Sequence, residues 1–225
     1  KPAPLSTAGR LFLQGLHRIV AVDAFNGSIL WALEIPDLQR FNMPRDSSNW
    51  CADRDFLYVA IRDRLWQIDV RDGRVAGLLE TPSPPQRKGP WDWGYIARTG
   101  EKIIGTSVRR ATSWTGFWGG AGAGWYDARS GEVTHKVCSD TLFSIDRQSG
   151  KVAWNYQNGV VLNSTLTIAD DRIYFVECRH EAVTGAPERR VGRPELWQKQ
   201  FLVAMDANSG SLLWEKPIQL PPGKV

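Results

Sequence analysis

The sequence predicts an all-β fold assembled from four copies of one four-stranded unit. Three observations predict it. An apolar strand ending in Asp recurs four times, a Gly follows each Asp at constant distance, and no segment holds a convincing helical period.

The copies are explicit. Ile19-Val20-Ala21-Val22-Asp23 leads through Asn26-Gly27 to Ile29-Leu30-Trp31. Leu142 to Asp146 leads through Ser149-Gly150 to Trp154, and Leu202 to Asp206 leads through Ser209-Gly210 to Trp214. Each Gly stands four residues after its Asp, and each Trp four after the Gly. The second copy, Leu65 to Asp69 with Asp72-Gly73, keeps everything but the Trp, where Gly77 stands. In Asn26-Gly27 and Asp72-Gly73 the spacing predicts tight two-residue hairpin pairs, because Gly accepts positive φ. The preceding aspartates can accept hydrogen bonds from the N–H groups of the turn.

A further strand lies upstream of each copy, at Leu11–Leu13, Phe56–Val59, Ile103-Ile104 and Ile173–Val176, and short candidates precede those near Leu5–Thr7, Trp50-Cys51, Gly94–Ala97 and Ser164–Ile168. Each unit thus has four strands, A to D. The Asp-to-Asp intervals are 46, 77 and 60 residues, and the two long ones contain insertions at 108–138 and 179–199. Without them a unit is about 43 residues, within the range of a β-propeller blade. The blades are expected at 1–35, 36–82, 83–158 and 159–218.

The Asp-x-x-x-Gly-x-x-x-Trp pattern after an apolar strand resembles the tryptophan-docking repeat of pyrroloquinoline-quinone (PQQ) type propellers, over nearly the whole chain outside the insertions. That group includes quinoprotein dehydrogenases and an outer-membrane assembly lipoprotein. The resemblance implies that Trp31, Trp154 and Trp214 pack between neighbouring blades and that Gly77 marks a missing lock. It also implies rings of seven or eight blades. Four blades then read as half of a larger, about eight-bladed ring, completed by a missing half or by a second copy; a compact four-bladed ring is the weaker alternative.

Function is less legible. In a propeller the B–C and D–A connections share one face, so both insertions should lie side by side there, with the links 36–48 and 81–92. These four segments hold thirteen Lys/Arg and eight Asp/Glu, a net of +5 against +4 for the chain. Arg109, Arg110, Arg189, Arg190 and Arg193 stand among Trp114, Trp118, Trp125 and Trp197. Guanidinium groups beside indoles suit a protein, peptide, sugar or anionic ligand; alternatively they hold the insertions together. Gly119–Gly124 lacks the ending of a phosphate loop and the spacing of a dinucleotide site.

No catalytic set is expected. His17, His135 and His180 have no partner at useful spacing, and no position matches the calcium ligands, catalytic base or adjacent-cysteine disulfide of the quinoprotein dehydrogenases. PQQ and calcium are therefore not assigned. Cys51, Cys138 and Cys178 are too dispersed for zinc or redox work and are expected to be mostly buried thiols, one disulfide being open. Asn163-Ser164-Thr165 matches a glycosylation acceptor. The mild basicity, pI near 9.1, does not announce nucleic acid. No stretch reaches the roughly 18 apolar residues of a membrane helix. The chain lacks an initiator Met and reads as a processed or excised piece, and the resemblance implies an extracytoplasmic location. The reading is a non-catalytic scaffold or binding module, the alternative a fragment of a PQQ-dependent dehydrogenase.

Overall fold

The computed structural model describes residues 3–15, 17–36, 38, 49–84, 89–110, 113–114, 138–186, 189–190 and 193–219. The first sheet is β1 (Leu5–Thr7), β2 (Arg10–Gln14), β3 (Arg18–Asp23) and β4 (Ile29–Glu34), paired antiparallel in that order. The second is β5 (Trp50–Ala52), β6 (Phe56–Ile61), β7 (Arg64–Asp69) and β8 (Val75–Glu80). The third contains β9 (Trp91–Thr99) and β10 (Lys102–Arg109). After β11 (Ser113–Trp114) and β12 (Cys138–Ser139) it resumes with β13 (Thr141–Asp146) and β14 (Val152–Tyr156).

The fourth sheet departs from the simple meander. Its first strand is split into β15 (Val160–Leu162) and β16 (Thr167–Ala169) by a 3₁₀ turn at Asn163–Thr165, so the segment 164–168 is half turn. The Thr165 hydroxyl causes the break: it donates to the Leu162 carbonyl at 2.7 Å and accepts from the Val176 N–H at 2.8 Å, replacing a backbone partner. β17 (Arg172–Cys178), β19 (Gln200–Asp206) and β20 (Leu212–Ile218) complete the sheet, and β12 pairs on the free edge of β15. The second insertion adds the one-turn α1 (Glu181–Thr184) and β18 (Arg189–Arg190).

All four C–D hairpins are built alike, and not as two-residue pairs. Among Asn26-Gly27 and Asp72-Gly73 only the glycines have positive φ, +75° and +76°. A type I′ turn needs two such residues. Instead the Gly N–H donates back to the Asp carbonyl, at 2.9 Å for Gly27–Asp23 and 3.0 Å for Gly73–Asp69, and the strand register shifts just before the Asp. The Asp carboxylates cap the loops as expected: Asp23 Oδ1 accepts from the N–H groups of Phe25 and Asn26 at 2.9 and 3.0 Å. Asp206 does the same for Asn208 and Ser209.

Alternation places one face of each sheet against the next. Phe12, Ile19, Ala21 and Trp31 meet Leu57, Val59 and Ile68; Tyr58 and Leu65 meet Trp93, Ile103 and Phe143. Ile104 and Leu142 meet Ile173, Phe175, Val203 and Met205. Apolar burial at these joints is the main favourable term holding the sheets in chain order. The chain is an all-β propeller fold of four blades.

Candidate functional site

The joints repeat one device. Trp31 on β4 is buried, and its Nε1 donates to the Val70 carbonyl of the second blade at 2.9 Å. Trp154 on β14 donates to the Ala207 carbonyl of the fourth blade at 3.0 Å. Val70 and Ala207 each follow the hairpin Asp, so the two seats are equivalent. The indoles lie directly on the hairpin glycines. A Cβ on Gly73 would come 2.8 Å from the Trp31 ring, and one on Gly210 2.5 Å from Trp154. At these two positions glycine is required twice, for its φ and for the absent side chain.

The joint between the second and third blades lacks the indole. The cross-strand row that reads Phe12, Ala21, Trp31 on the first blade reads Tyr58, Gln67, Gly77 on the second. Leu79 takes the place over the Gly150 turn, 3.0 Å from a Cβ built there. Beside it runs a charged net: Arg98 pairs with Asp53 at 2.9 Å, Arg147 with Glu101 at 2.6 Å, and Arg147 Nη1 reaches Tyr58 Oη at 3.5 Å. Arg147 follows Asp146, the seat position of the third blade. The repeat could have flagged it, since a charged residue follows the Asp where the indole is missing.

Trp214 differs from the other two. It is 39% exposed on the outer side of the fourth blade, 6.0 Å from the Tyr174 ring and 5.9 Å from Lys216 Nζ. Conversely, a Cβ on Gly27 would meet none of the described residues within 4 Å. Ile29, Leu30, Leu212 and Leu213 are also exposed.

On the other side of the molecule, connections B–C and D–A share one face. The Thr81 N–H donates to the Asp63 carbonyl, and the Trp93 N–H to the Arg62 carbonyl. The two insertions meet there: β11 pairs parallel with β18, Ser113 opposite Arg189 and Trp114 opposite Arg190. Trp118, Trp125, His135 and the Gly119–Gly124 run lie outside the described residues. Arg110 forms ion pairs with two carboxylates. Its guanidinium binds Asp92 at 2.8 Å and reaches Asp63 at 3.6 Å, tying the second blade to the third. These carboxylates hold the Arg110 guanidinium above its usual range. Arg193 Nη1 donates to the Ala182 carbonyl at 3.0 Å, and Trp197 packs on the cluster of Cys138, Leu162, Cys178 and Leu196. Arg109 lies beside Gly89. His180 caps α1 through Nδ1, and His17 is exposed with φ of 54°.

Two polar clusters had no sequence signal. Ser139 Oγ lies 2.8 Å from both Thr106 Oγ1 and Asn163 Oδ1, around Gly94, where a Cβ would collide with Thr106. Asn163 is buried in this cluster, so the glycosylation triplet presents no accessible acceptor. Glu177, wholly buried, accepts from Tyr156 at 2.8 Å and from Arg179 at 2.6 Å, while Arg179 binds Glu215 bidentately at 2.9 and 2.6 Å. Burial pushes the Glu177 carboxyl up despite these partners. Cys51, Cys138 and Cys178 are free thiols, and burial pushes Cys51 up to about 12. Among the described residues no group of His, Cys, Asp and Glu has a metal-holding arrangement, and no helix is long and apolar enough to cross a membrane.

A repeated Asp–Gly turn, an indole seated on the next blade and face-to-face sheets define a propeller of the PQQ-like class. Residues 97–225 match the family model described as outer membrane protein assembly factor BamB, and the chain belongs to this PQQ-like repeat family. The fold is similar to that of the quinohemoprotein alcohol dehydrogenase ADHIIG from Pseudomonas putida HK5, with a TM-score of 0.56 and 13% identity over 95% of this chain and 33% of that one. It is similar to a europium-containing methanol dehydrogenase, with a TM-score of 0.53 and 15% identity over 96% of this chain and 41% of that one. It is also similar to the Pan2 WD40 domain of Neurospora crassa, with a TM-score of 0.54 and 14% identity over 96% and 51% of the two chains. At these identities the likeness is one of fold, and the chain spans a third to about half the length of these structures. No curated protein matches the sequence.

Proposed function

We propose that this chain is a non-catalytic propeller module, a scaffold and binding surface that works as part of a larger propeller. The observation that carries the reading is the pair of outward faces at the two ends of the blade series. The first blade offers Leu13, Phe25 and Ile29, with Leu13 and Ile29 lining one open hollow, and the fourth offers Trp214, all exposed. Apolar surface gathered in this way marks a protein interface. The pairs Arg98–Asp53 and Arg110–Asp63 cross the joint between the second and third blades and are read as fasteners.

The loop face, where the insertions pair, is the side read as receiving a protein, peptide, sugar or anionic ligand. Arg110 and Arg193 are read as structural. An extracytoplasmic location fits the family description, which names outer-membrane protein assembly. Blade docking through Trp31 and Trp154, with Asp23, Asp69, Asp146 and Asp206 shaping the turns, is the structural part of the same proposal.

The test is equilibrium dialysis against PQQ with calcium, read by the absorbance of the retained quinone. No retention above buffer is expected. Stoichiometric retention with a shifted quinone spectrum would replace this reading with a piece of a quinoprotein dehydrogenase.

A further inference from the structure

Among the described residues the first blade has an unfilled seat and the fourth an unseated indole, and the two match. The seat is preformed on the first blade. The Ala24 N–H donates to the Gly9 carbonyl at 2.9 Å, as Val70 does to Asp55 at 3.0 Å and Ala207 to Asp171 at 2.8 Å in the two filled seats. Gly27 has the same positive φ as Gly73 and Gly210. On the fourth blade Trp214 stands in a cross-strand row with Ala204 and Tyr174, in the register of Trp31, Ala21 and Phe12. Its ring is 6.0 Å from Tyr174, against 5.8 Å between Trp31 and Phe12.

A second pair of positions agrees. At the joint between the third and fourth blades, Lys102 Nζ donates to the Asn208 carbonyl at 2.8 Å and to Asn208 Oδ1 at 3.0 Å. Lys102 pairs across its hairpin with Asp146, and Arg172 pairs with Asp206 in the same way, so Arg172 is the counterpart of Lys102. Asn208 stands two residues after its Asp, where the first blade has Phe25, 91% exposed. An ammonium suits an amide, as at Lys102 and Asn208, and a guanidinium suits an aromatic face, as Arg172 and Phe25 would provide.

We infer that the fourth blade of one copy docks on the first blade of a second copy. Trp214 enters the Gly27 seat with Nε1 donating to the Ala24 carbonyl, and Arg172 covers Phe25. Each copy supplies one seat and one indole, so two such contacts close a ring of two chains. The inference rests on the proposed reading of the chain as an open module.

Sedimentation equilibrium of the purified chain over a dilution series tests it, with Trp214→Ala, Gly27→Ala and Arg172→Glu beside the parent. A dimer is expected, weakened roughly tenfold or more by each substitution, since buried aromatic and Arg anchors dominate interfaces. A Cβ at Gly27 meets none of the described residues within 4 Å, and melting curves taken in parallel verify that each variant is folded. A chain monomeric at every concentration with an accessible Trp214 overturns the pairing and leaves the open module standing. A monomer with Trp214 buried overturns the open module too. A dimer indifferent to all three substitutions places the contact elsewhere and overturns the inference.

Discussion

The Trp154 indole lies flat on the Gly210 turn of the next blade, with its Nε1 3.0 Å from the Ala207 carbonyl and its Cγ 2.5 Å from where a Cβ would be. This contact makes the turn glycines unequal. Gly210→Ala combines left-handed strain with displacement of a packed indole and is expected to cost about 2–4 kcal/mol. Gly27→Ala carries only the strain, about 1–2 kcal/mol. Denaturant unfolding of both variants checks the order, and equal losses would count against an indole seat at Gly210.

The three repeat tryptophans separate in the same way. Trp31→Ala removes a buried indole and its hydrogen bond and is expected to cost about 3–5 kcal/mol. Trp214→Ala in the monomer is expected to cost about 1 kcal/mol or less, because that ring is already partly in water. From sequence alone the two are interchangeable; unfolding midpoints that shift alike would contradict the difference in burial.

Arg110 looks from sequence like a ligand-binding residue, but it clamps Asp92 and Asp63. Arg110→Ala should lower stability by about 1–3 kcal/mol through loss of a charge-assisted bond to a buried carboxylate. The measurement is a thermal or urea melt. A variant as stable as the parent would return Arg110 to the binding face.

Acid should loosen the hairpins. Hydrogen bonds from the Arg71 side chain and backbone hold the Asp69 carboxyl down at about 2, and bonds from Ser149 and Ser209 hold Asp146 and Asp206 below the usual range. A depressed folded pKa contributes stability that is complete above the unfolded value, near 3.8, and lost as pH falls toward 2. Melting temperatures measured through that window should fall less steeply for Asp69→Asn than for the parent. Parallel slopes would sink the assignment.

The fold was legible because its information is local. An Asp that caps its own turn and a Gly that accepts positive φ recur at fixed spacing, whatever lies far away in sequence. Asn-Gly suggests a two-residue hairpin, whereas the Asp four residues before the Gly closes a longer loop. The split first strand of the fourth blade depended on one hydroxyl, Thr165, meeting a neighbouring strand. The site was less legible for a related reason. Arg110 and Arg193 have the composition of a binding face, and their contacts with Asp92, Asp63 and the Ala182 carbonyl are visible only in three dimensions. The Ser139–Thr106–Asn163 cluster joins residues from three segments, and none of them stands out alone.

The most direct test of the account is hydrogen exchange of the indole N–H groups, read by ¹⁵N-edited NMR with assignments from single Trp→Phe variants. The account predicts slow exchange for Trp31 and Trp154, which donate to buried carbonyls, and fast exchange for Trp214 in dilute protein. Trp214 exchanging as slowly as the other two at every dilution, or Trp31 and Trp154 exchanging as freely as Trp214, would contradict it.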